Sequence, residues 1–327
     1  MADLFAPLKI GSVELRNRVV LPPMATEKST EDGFPTEELY EHYEERSEGP
    51  GLIIVEHSYV NPRGRLSTNQ LGIYSDEHIE SLERLAGAIR AEGAVPAIQI
   101  NHAGGHCDEN VTGEKPVAPS DAYFDDVDPL SVEQMEKIKQ DFVEGARRAE
   151  KAGFDVVEIH GAHGFLLGQF LSPITNQRDD GYGGVELENR MRFPLEIVKE
   201  VREVVEDIAL FYRLGATDMD EEGLTVEESK EFAKKLVENG IEVIDVSGNL
   251  CGSRPDELEG EQGYFVPIAE KIKGVVDVPV IGVGGIKEAR YADQLVKDKK
   301  VDLVAVGREQ WKDPDWALKA KEELKEV

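Results

Sequence analysis

Cysteine is scarce in this sequence, since Cys107 and Cys251 are the only two among 327 residues. Two isolated cysteines are too few for a disulfide framework, and they lack the spacing of a thiolate metal site or an iron–sulfur site. We therefore expect both thiols to be reduced and expect neither a metal nor an iron–sulfur cluster in this chain.

Long apolar runs are also missing. No stretch approaches the roughly 20 apolar residues that a membrane-spanning helix needs, and the first residues lack the basic and then apolar pattern of a secretory signal. These absences predict a cytoplasmic protein without a membrane partner.

Basic residues are few relative to acidic ones. Asp and Glu number 66 against 37 Lys and Arg, which gives a formal charge of −29. This charge repels a phosphate backbone and argues against a nucleic-acid partner. The acidic surface is explained either as an ordinary solvated surface or as a halophilic adaptation to a salty cytoplasm, and the sequence leaves both explanations open.

Short apolar runs recur along the chain and predict buried strands. They cover residues 18–23, 51–55, 95–100, 156–159, 208–213, 242–246, 278–283 and 301–306. Amphipathic segments lie between the runs, and some begin with the spacing of a capping box, as in Ser131-x-x-Gln134. This alternation predicts an α/β fold, a closed (β/α)8 TIM barrel, with a doubly wound open sheet as the alternative. We expect one domain over residues 1–327, with a small N-terminal β-hairpin at residues 8–15.

Two connections are unusually long. Residues 101–130 and 161–186 are polar and follow the carboxyl ends of predicted strands. Loops of this length inside a compact domain are usually functional, and those at the carboxyl end of a barrel carry its active site. We expect both to cover the active site.

Glycine and arginine mark a possible phosphate site. The loops after the seventh and eighth predicted strands contain Gly284-Gly285 and Gly307-Arg308. Glycine lets backbone N–H groups approach an anion closely, and arginine adds a bidentate charged contact. These are the two loops that hold phosphate in many barrels, so the pattern predicts a phosphate-bearing ligand.

Polar side chains at strand ends are the candidates for catalysis. Gln99 lies in the third predicted strand and Arg213 ends the fifth, where an unpartnered polar group is costly. His160 and His163 follow the fourth strand, and they could bind a metal, fill the core or donate hydrogen bonds to a substrate oxygen. The third reading fits best, because no third metal ligand is evident nearby. His102 is either a site residue or a supporting one.

A longer motif surrounds these histidines. It runs from His160-Gly-Ala-His163-Gly-Phe165 through Asn176-x-Arg178-x-Asp-x-Tyr182-Gly-Gly to Glu188-Asn-Arg190-x-Arg192-Phe193. With Pro23-Met24 and Gln99-x-x-His102-Ala-Gly, it resembles the old yellow enzyme or NADH:flavin oxidoreductase family over essentially the whole chain. Within that family the likeness is to bacterial-type ene-reductases and to the flavin domain of dienoyl-CoA reductases.

The resemblance implies an FMN-dependent ene-reductase. Such an enzyme takes hydride from NADH or NADPH and passes it to the C=C bond of an α,β-unsaturated carbonyl compound, a small-molecule activated alkene. Family positions that contact FMN match Pro23, Met24, Ala25, His57, Gln99, His160, Arg213, Gly284, Gly285, Gly307 and Arg308. Catalytic positions match His160, His163 and Phe165, with the two histidines binding the activating oxygen of the substrate. A homodimer or higher homo-oligomer is also implied.

Three residues depart from the family pattern. Ala25 stands where a cysteine or threonine usually bonds the flavin, and His57 stands where a small residue is usual. Phe165 replaces the tyrosine that normally gives a proton to the substrate. Glu27 and Tyr123 are candidate substitute acids, although each is also an ordinary loop residue.

Two other functions stay open at this point. A flavin-binding protein without turnover could keep the cofactor site, and a phosphate-sugar isomerase or aldolase could use the same barrel, because a fold does not fix a function. The missing tyrosine makes the first alternative worth testing.

The acidic surface generates a prediction about salt. If like-charge repulsion destabilises the fold, molar KCl screens that repulsion and raises the melting temperature relative to low salt. Thermal unfolding followed by circular dichroism in a KCl series measures the effect. A melting temperature that stays constant or falls contradicts the halophilic explanation.

Overall fold

Eight parallel strands close into a barrel in the computed structural model, which describes residues 2–325. The strands of the chain are β1 (Leu8–Ile10), β2 (Val13–Leu15), β3 (Val19–Leu21), β4 (Leu52–Tyr59), β5 (Val95–Asn101), β6 (Val117–Ala118), β7 (Asp128–Pro129), β8 (Val156–Gly161), β9 (Ala209–Gly215), β10 (Val243–Ser247), β11 (Val280–Gly282) and β12 (Leu303–Ala305).

Helices follow most of the barrel strands. They are α1 (Glu37–Glu44), α2 (Ile79–Ala91), α3 (Glu109–Thr112), α4 (Val132–Lys151), α5 (Leu166–Leu171), α6 (Leu187–Val204), α7 (Val226–Glu238), α8 (Val266–Lys273), α9 (Ala289–Lys297), α10 (Arg308–Lys312) and α11 (Trp316–Lys325). Short 3₁₀ turns occupy Pro62–Gly64, Asp76–His78, Gly104–His106 and Asp256–Leu258.

The barrel follows chain order. Its strands pair in the sequence β3, β4, β5, β8, β9, β10, β11 and β12, and β12 returns to pair with β3 through Val304 with Val19 and Ala305 with Val20. Each predicted apolar run contains or overlaps one of these strands. The predicted (β/α)8 barrel is therefore confirmed. A single domain over residues 1–327 stays a prediction, and its terminal residues 1 and 326–327 lie outside the described part.

Apolar side chains form two layers. One cluster lies between the strands and the surrounding helices, and a second fills the inside of the barrel. The hairpin of β1 and β2, paired Leu8 with Leu15, contributes Ile10, Val13 and Leu15 to the inner cluster. The strands are thus buried on both faces, which explains their continuous apolar sequences. The predicted hairpin is confirmed and adds to the packing inside the barrel.

The starts of two long helices match their sequence patterns. Ser131 accepts a hydrogen bond from the backbone of Gln134 at α4, and the Gln134 side chain bonds back to Ser131. Thr225 and Glu228 form the same reciprocal pair at α7. These capping boxes satisfy backbone N–H groups that a helix leaves unpaired at its start, so they fix where α4 and α7 begin.

Strand β4 is longer than its apolar run and contains an irregularity. Val55 pairs with Ile98 on β5, but the next pairing joins Ser58 to Ile100, so β4 has one residue more than β5 between these pairs. An inserted residue of this kind shifts the alternation of side chains between the two faces of a strand. The shift affects which side chain of β4 lies inside the barrel mouth.

The described helices were also assessed for membrane insertion. Among residues 2–325, none combines the length and the apolar composition that crossing a bilayer requires.

Candidate active site

The carboxyl ends of the barrel strands surround a cavity of about 380 Å³. Its wall is formed by Pro22, Pro23, Met24, Ala25, His57, Gln99, His160, His163, Phe165, Arg213, Ser247, Ser253, Arg254, Tyr264, Val283, Gly285, Ile286, Ala305, Gly307 and Arg308. The structure therefore brings together every predicted site residue except Gly284. A cavity at this end of a barrel is where the active sites of such folds lie.

Gly284 lies just outside the wall. Its φ is +120°, and a Cβ added to it would lie 2.7 Å from the ring of Tyr264, which does line the cavity. The residue therefore lets Tyr264 approach closely. Its predicted direct contact with the cofactor stays a prediction.

A layer of polar side chains lies at and beneath the bottom of the cavity. Gln99 Nε2 donates a hydrogen bond of 2.8 Å to Glu158 Oε1. Arg213 Nε lies 3.4 Å from Asp245 Oδ2 without the geometry of a hydrogen bond. All four side chains are at most 5% exposed. Water is thus largely excluded here, and the Gln99–Glu158 bond leaves Glu158 Oε2, Arg213 Nε and both Asp245 carboxyl oxygens without a hydrogen-bond partner in the described structure.

Protonation in this layer is shifted by burial. Desolvation and the nearby Asp245 carboxyl raise the pKa of Glu158 to about 8, although Arg213 opposes the rise. Desolvation also raises the pKa of Asp245, again against the effect of Arg213. The protonated form of Glu158 is therefore favoured at neutral pH.

The histidine pair is held by two neighbouring strands. His160 lies in β8 and pairs in register with Arg213 of β9. His163 Nε2 lies 2.8 Å from Ser247 Oγ at the end of β10, and the rings of the two histidines are centred 5.1 Å apart. Burial is the main reason that the pKa of each is well below its ordinary value, so both rings are neutral.

Backbone strain marks the same place. His163 has a φ of +57°, in the left-handed region that side chains other than glycine rarely adopt. Its backbone N–H donates to the carbonyl oxygen of Gly248, which holds this conformation. Such strain persists only where surrounding contacts enforce it, and it often accompanies a functional site.

The histidines do not form a metal cluster. Within residues 2–325, no group of three or more His, Cys, Asp or Glu side chains is arranged to hold a metal ion. Instead, His160 Nδ1 is buried and has no hydrogen-bond partner in the described structure. A buried ring nitrogen without a protein partner is suited to an oxygen of a bound molecule.

The residues that depart from the family pattern lie on the cavity wall as well. Ala25 contributes no polar group. The ring of Phe165 is centred 5.1 Å from that of His160 at 90°, and 5.6 Å from that of His57. The apolar ring of Phe165 therefore packs against both His160 and His57.

One corner of the cavity combines glycine with arginine. Gly285 has a φ of +62°, and a Cβ there would lie 2.6 Å from the carbonyl oxygen of Glu261 and 3.0 Å from Arg308 Nη2. A Cβ on Gly307 would lie 3.0 Å from Met24 Sδ. Side chains at these positions would collide with neighbouring protein atoms, so glycine lets the segment of Glu261 and the Met24 side chain pack closely against this corner.

The charged side chains on the cavity wall are positive, whereas the net charge of the whole chain is negative. Arg213, Arg254 and Arg308 lie on the wall, and no Asp or Glu is among the described residues that form it. The whole chain, in contrast, carries a formal charge of −29. A concave site with positive walls attracts anions, such as a phosphate group.

Sequence reasoning missed one loop. Ser253, Arg254 and Tyr264 come from the connection of residues 248–265 between β10 and α8, and Tyr264 donates a 2.9 Å hydrogen bond to the carbonyl oxygen of Ser253. The length of this connection was the available signal. By contrast, no residue of the 101–130 segment lines the cavity, although the ring of His106 is centred 6.0 Å from that of Phe165 on the wall. That this segment covers the site stays a prediction.

Three other candidates lie elsewhere. His102 is buried and its Nδ1 accepts a hydrogen bond from the backbone of Gly104, which makes it a supporting residue. Glu27 is exposed and its carboxylate accepts from Ser67 Oγ. Tyr123 is 50% exposed. None of the three is on the cavity wall.

The residues present fit an FMN-sized ligand with a phosphate. Gly285, Gly307 and the cationic side chain of Arg308 line the cavity, and the buried His160 Nδ1 lacks a protein partner. Gln99 and Arg213 offer donors at the opposite end. The fold and cavity thus define a (β/α)8-barrel protein with a site for a phosphorylated cofactor.

Comparison with known proteins identifies the class. A model of the NADH:flavin oxidoreductase / NADH oxidase family matches residues 3–326. The chain is 44% identical to an NADH oxidase of Thermoanaerobacter brockii, with 98% of this chain and 51% of that protein covered. It is 41% identical to an NADPH dehydrogenase of Geobacillus thermodenitrificans, with 98% and 94% covered. The chain therefore spans about half the length of the first relative.

Solved structures agree. A 2-naphthoyl-CoA reductase in complex with 2-naphthoyl-CoA superimposes with a TM-score of 0.92 at 27% identity, covering 98% of this chain and 52% of that one. An old yellow enzyme homologue from Zymomonas mobilis gives a TM-score of 0.85 at 25% identity, covering 98% and 93%. The chain belongs to the NADH:flavin oxidoreductase family, the family of the old yellow enzymes. FMN as cofactor and the class of NAD(P)H-dependent flavin oxidoreductase follow from this membership.

The shifted pKa of Glu158 predicts a pH-dependent stability. A carboxyl whose folded pKa, about 8, exceeds its ordinary 4.5 contributes stability that is complete below pH 4.5 and is lost as the pH rises through 8. Glu158→Gln cannot lose this proton. We therefore expect its unfolding free energy to rise relative to wild type between about pH 4.5 and 8.

Urea unfolding at a series of pH values measures the difference. The variant Glu83→Gln, at an exposed position, controls for the loss of one negative charge. A difference between Glu158→Gln and wild type that stays flat over this window would show that Glu158 is ionised in the folded protein.

Proposed function

We propose that this protein is an ene-reductase that uses NADH or NADPH to reduce the C=C bond of an α,β-unsaturated carbonyl compound. The observation that carries the proposal is the pair of neutral histidines on the cavity wall, the buried His160 and the half-buried His163, with His160 Nδ1 lacking a protein partner. Two fixed imidazoles of this kind suit the oxygen that activates such an alkene.

FMN, when bound, supplies the two-electron chemistry between the nicotinamide and the alkene. Pro23, Met24, Ala25, His57, Gln99, His160, Arg213, Gly285, Gly307 and Arg308 would hold it, and Gly284 would support the phosphate corner. Arg308 and the glycines would bind its phosphate, while Gln99 would donate to the polar edge of its ring. The charge of Arg213 stabilises negative charge that develops at the bottom of the cavity.

His160 and His163 orient the alkene. Their N–H groups donate to its carbonyl oxygen and stabilise the negative charge that accumulates there as the β-carbon accepts hydride. Each ring, when neutral, carries one N–H group, and that group is the donor which it offers to the oxygen.

The proton for the α-carbon needs another source. Phe165 has no hydroxyl, and Glu27 and Tyr123 are not on the cavity wall. Water that enters the cavity is the proton donor that we infer. A step without a positioned general acid is slower by roughly 10²–10⁴-fold than one that has it.

Similar proteins support the reductase proposal. The two curated relatives are named an NADH oxidase and an NADPH dehydrogenase, and the structural neighbour with its substrate is a reductase of an aromatic CoA thioester. Family membership disfavours the isomerase and aldolase alternatives. A flavin protein without turnover on alkenes is the alternative to be tested.

Anaerobic absorption spectroscopy tests the proposal. NADH or NADPH is expected to bleach the oxidised flavin bands, and addition of a cyclic enone, a maleimide or an enoyl thioester is expected to restore them. Bleaching without recovery by any of these alkenes, followed by recovery in air, would indicate an oxidase or carrier and contradict the ene-reductase proposal.

Phe165→Tyr tests the proton step. The new hydroxyl would lie near His160 and His57 and could donate to the α-carbon, so we expect faster flavin reoxidation by a cyclic enone and unchanged flavin reduction by the nicotinamide. Stopped-flow measurement of the two half-reactions separates these effects. Equal reoxidation rates in both proteins would mean that the native site already has a competent acid.

A further inference from the structure

His57 occupies its place because of the irregularity in β4. The residues of β4 and β5 that fill the barrel alternate along each strand, as with Leu52 and Ile54. Continued alternation would place Glu56 inside. The extra residue between Val55 and Ser58 changes the phase, and His57 lines the cavity instead.

Glu56 has the opposite environment. Its Oε2 accepts a 3.0 Å hydrogen bond from the backbone of Thr26, and its own backbone N–H donates to Tyr43 Oη over 2.8 Å. The first contact attaches the loop after β3 to strand β4, and the second attaches helix α1 to the same strand. Glu56 is thus held on the side of β4 away from the cavity, and the next residue, His57, lies on the cavity side.

A buried glutamine determines the state of the His57 ring. Gln70 Nε2 lies 2.7 Å from His57 Nδ1 and 2.9 Å from the His57 carbonyl oxygen. Gln70 Oε1 accepts a 2.7 Å hydrogen bond from the backbone N–H of Leu66. The last bond fixes the orientation of the amide, because a flipped amide would place its NH₂ group against an N–H donor.

The tautomer follows from these bonds. The NH₂ group of Gln70 can only donate hydrogen bonds, and it faces both the His57 carbonyl oxygen and His57 Nδ1. His57 Nδ1 must therefore be the acceptor. Desolvation and the charge of Arg213 lower the pKa of His57 to about 4, which keeps the ring neutral. A neutral ring with an accepting Nδ1 carries its proton on Nε2. That nitrogen makes no hydrogen bond to any side chain or backbone group in the described structure.

We propose that His57 is a fixed neutral hydrogen-bond donor, through Nε2–H, to an acceptor atom in the cavity, and that Gln70 is its positioning residue. The acceptor is a carbonyl or anionic oxygen, or a ring nitrogen, and it belongs either to the flavin or to the substrate. The inference deepens the proposed function. It also places a donor in a site where Ala25 has no polar group and Phe165 has no hydroxyl.

The tautomer is tested directly by nuclear magnetic resonance. The holoprotein labelled with ¹⁵N at histidine is expected to show His57 with a protonated Nε2, assigned by its absence from the spectrum of His57→Phe. Gln70→Glu, which presents only acceptors to Nδ1, is expected to move a proton to Nδ1. A protonated Nδ1 in the wild-type protein, or an unchanged ring in Gln70→Glu, overturns the proposal.

A matched variant controls for a merely structural effect. Gln310 is also a fully buried amide, and its Nε2 donates to the carbonyl oxygens of Val20 and Val306. Gln310→Glu introduces the same carboxyl into another buried site and is expected to leave the His57 ring unchanged. If both variants move the His57 proton to Nδ1, a general loosening of the protein core and not the Gln70 contact moves it. That result also overturns the role of Gln70.

Two measurements distinguish the sources of the acceptor. Loss of a neutral hydrogen bond in His57→Phe is expected to weaken the affected equilibrium roughly 3- to 10-fold. If the flavin is the partner, the midpoint potential of bound FMN falls, by about 30 mV for a tenfold effect. If the substrate is the partner, 4-nitrophenolate, an anionic oxygen probe, binds the oxidised holoprotein more weakly at unchanged potential. No change in either quantity overturns the donor role.

These tests are independent of the proposed function. A protein that fails to reduce any alkene but shows the expected tautomer and probe affinity refutes the ene-reductase proposal alone. A protein that reduces enones while His57 carries its proton on Nδ1 refutes the donor inference alone.

Discussion

Closure of the parallel sheet, through the pairing of β12 with β3, is the constraint on which the site depends. The pairs Val19 with Val304 and Val20 with Ala305 bring the two ends of the chain together. Because all eight strands are parallel, their carboxyl ends then meet at one rim. The loop after β3 packs against Gly307 so closely that a Cβ there would lie 3.0 Å from Met24 Sδ. An open sheet would separate these segments.

Closure also excludes water from the barrel, and the polar groups at its mouth therefore lose their hydrogen bonds to water. Buried polar groups are costly unless they are bonded, so Gln99 and Glu158 bond each other and Arg213 lies beside Asp245. Gln70 serves the same purpose for His57, because it bonds both the ring and the carbonyl oxygen of that residue. The polar groups of the site are thus held by other buried polar groups, and this support fixes their direction toward a ligand.

The features predicted from the sequence are those with local causes. Apolar runs, the capping residue Ser131 and the glycine and arginine loops each have their pattern within a few neighbouring residues, and the structure places them as expected except for Gly284, which lies just outside the cavity wall. The position of segment 101–130 relative to the cavity was not determined in the same way, because length and polarity do not show where a loop folds back. The supporting roles of Gln70 and Glu158 were missed, since each depends on a partner that is distant in sequence or on an adjacent strand.

The sequence by itself determined the class of fold, the strands that build the barrel and most of the side chains on the cavity wall. It did so because burial on both faces requires continuous apolar runs and because a rare motif surrounds His160 and His163. Only the tertiary structure decided that an irregularity in β4 turns His57 toward the cavity, that the loop of residues 248–265 completes the wall, and that two carboxyl groups share the space beside Arg213. These outcomes depend on register, strand irregularity and desolvation, which arise only when segments from different parts of the chain pack together.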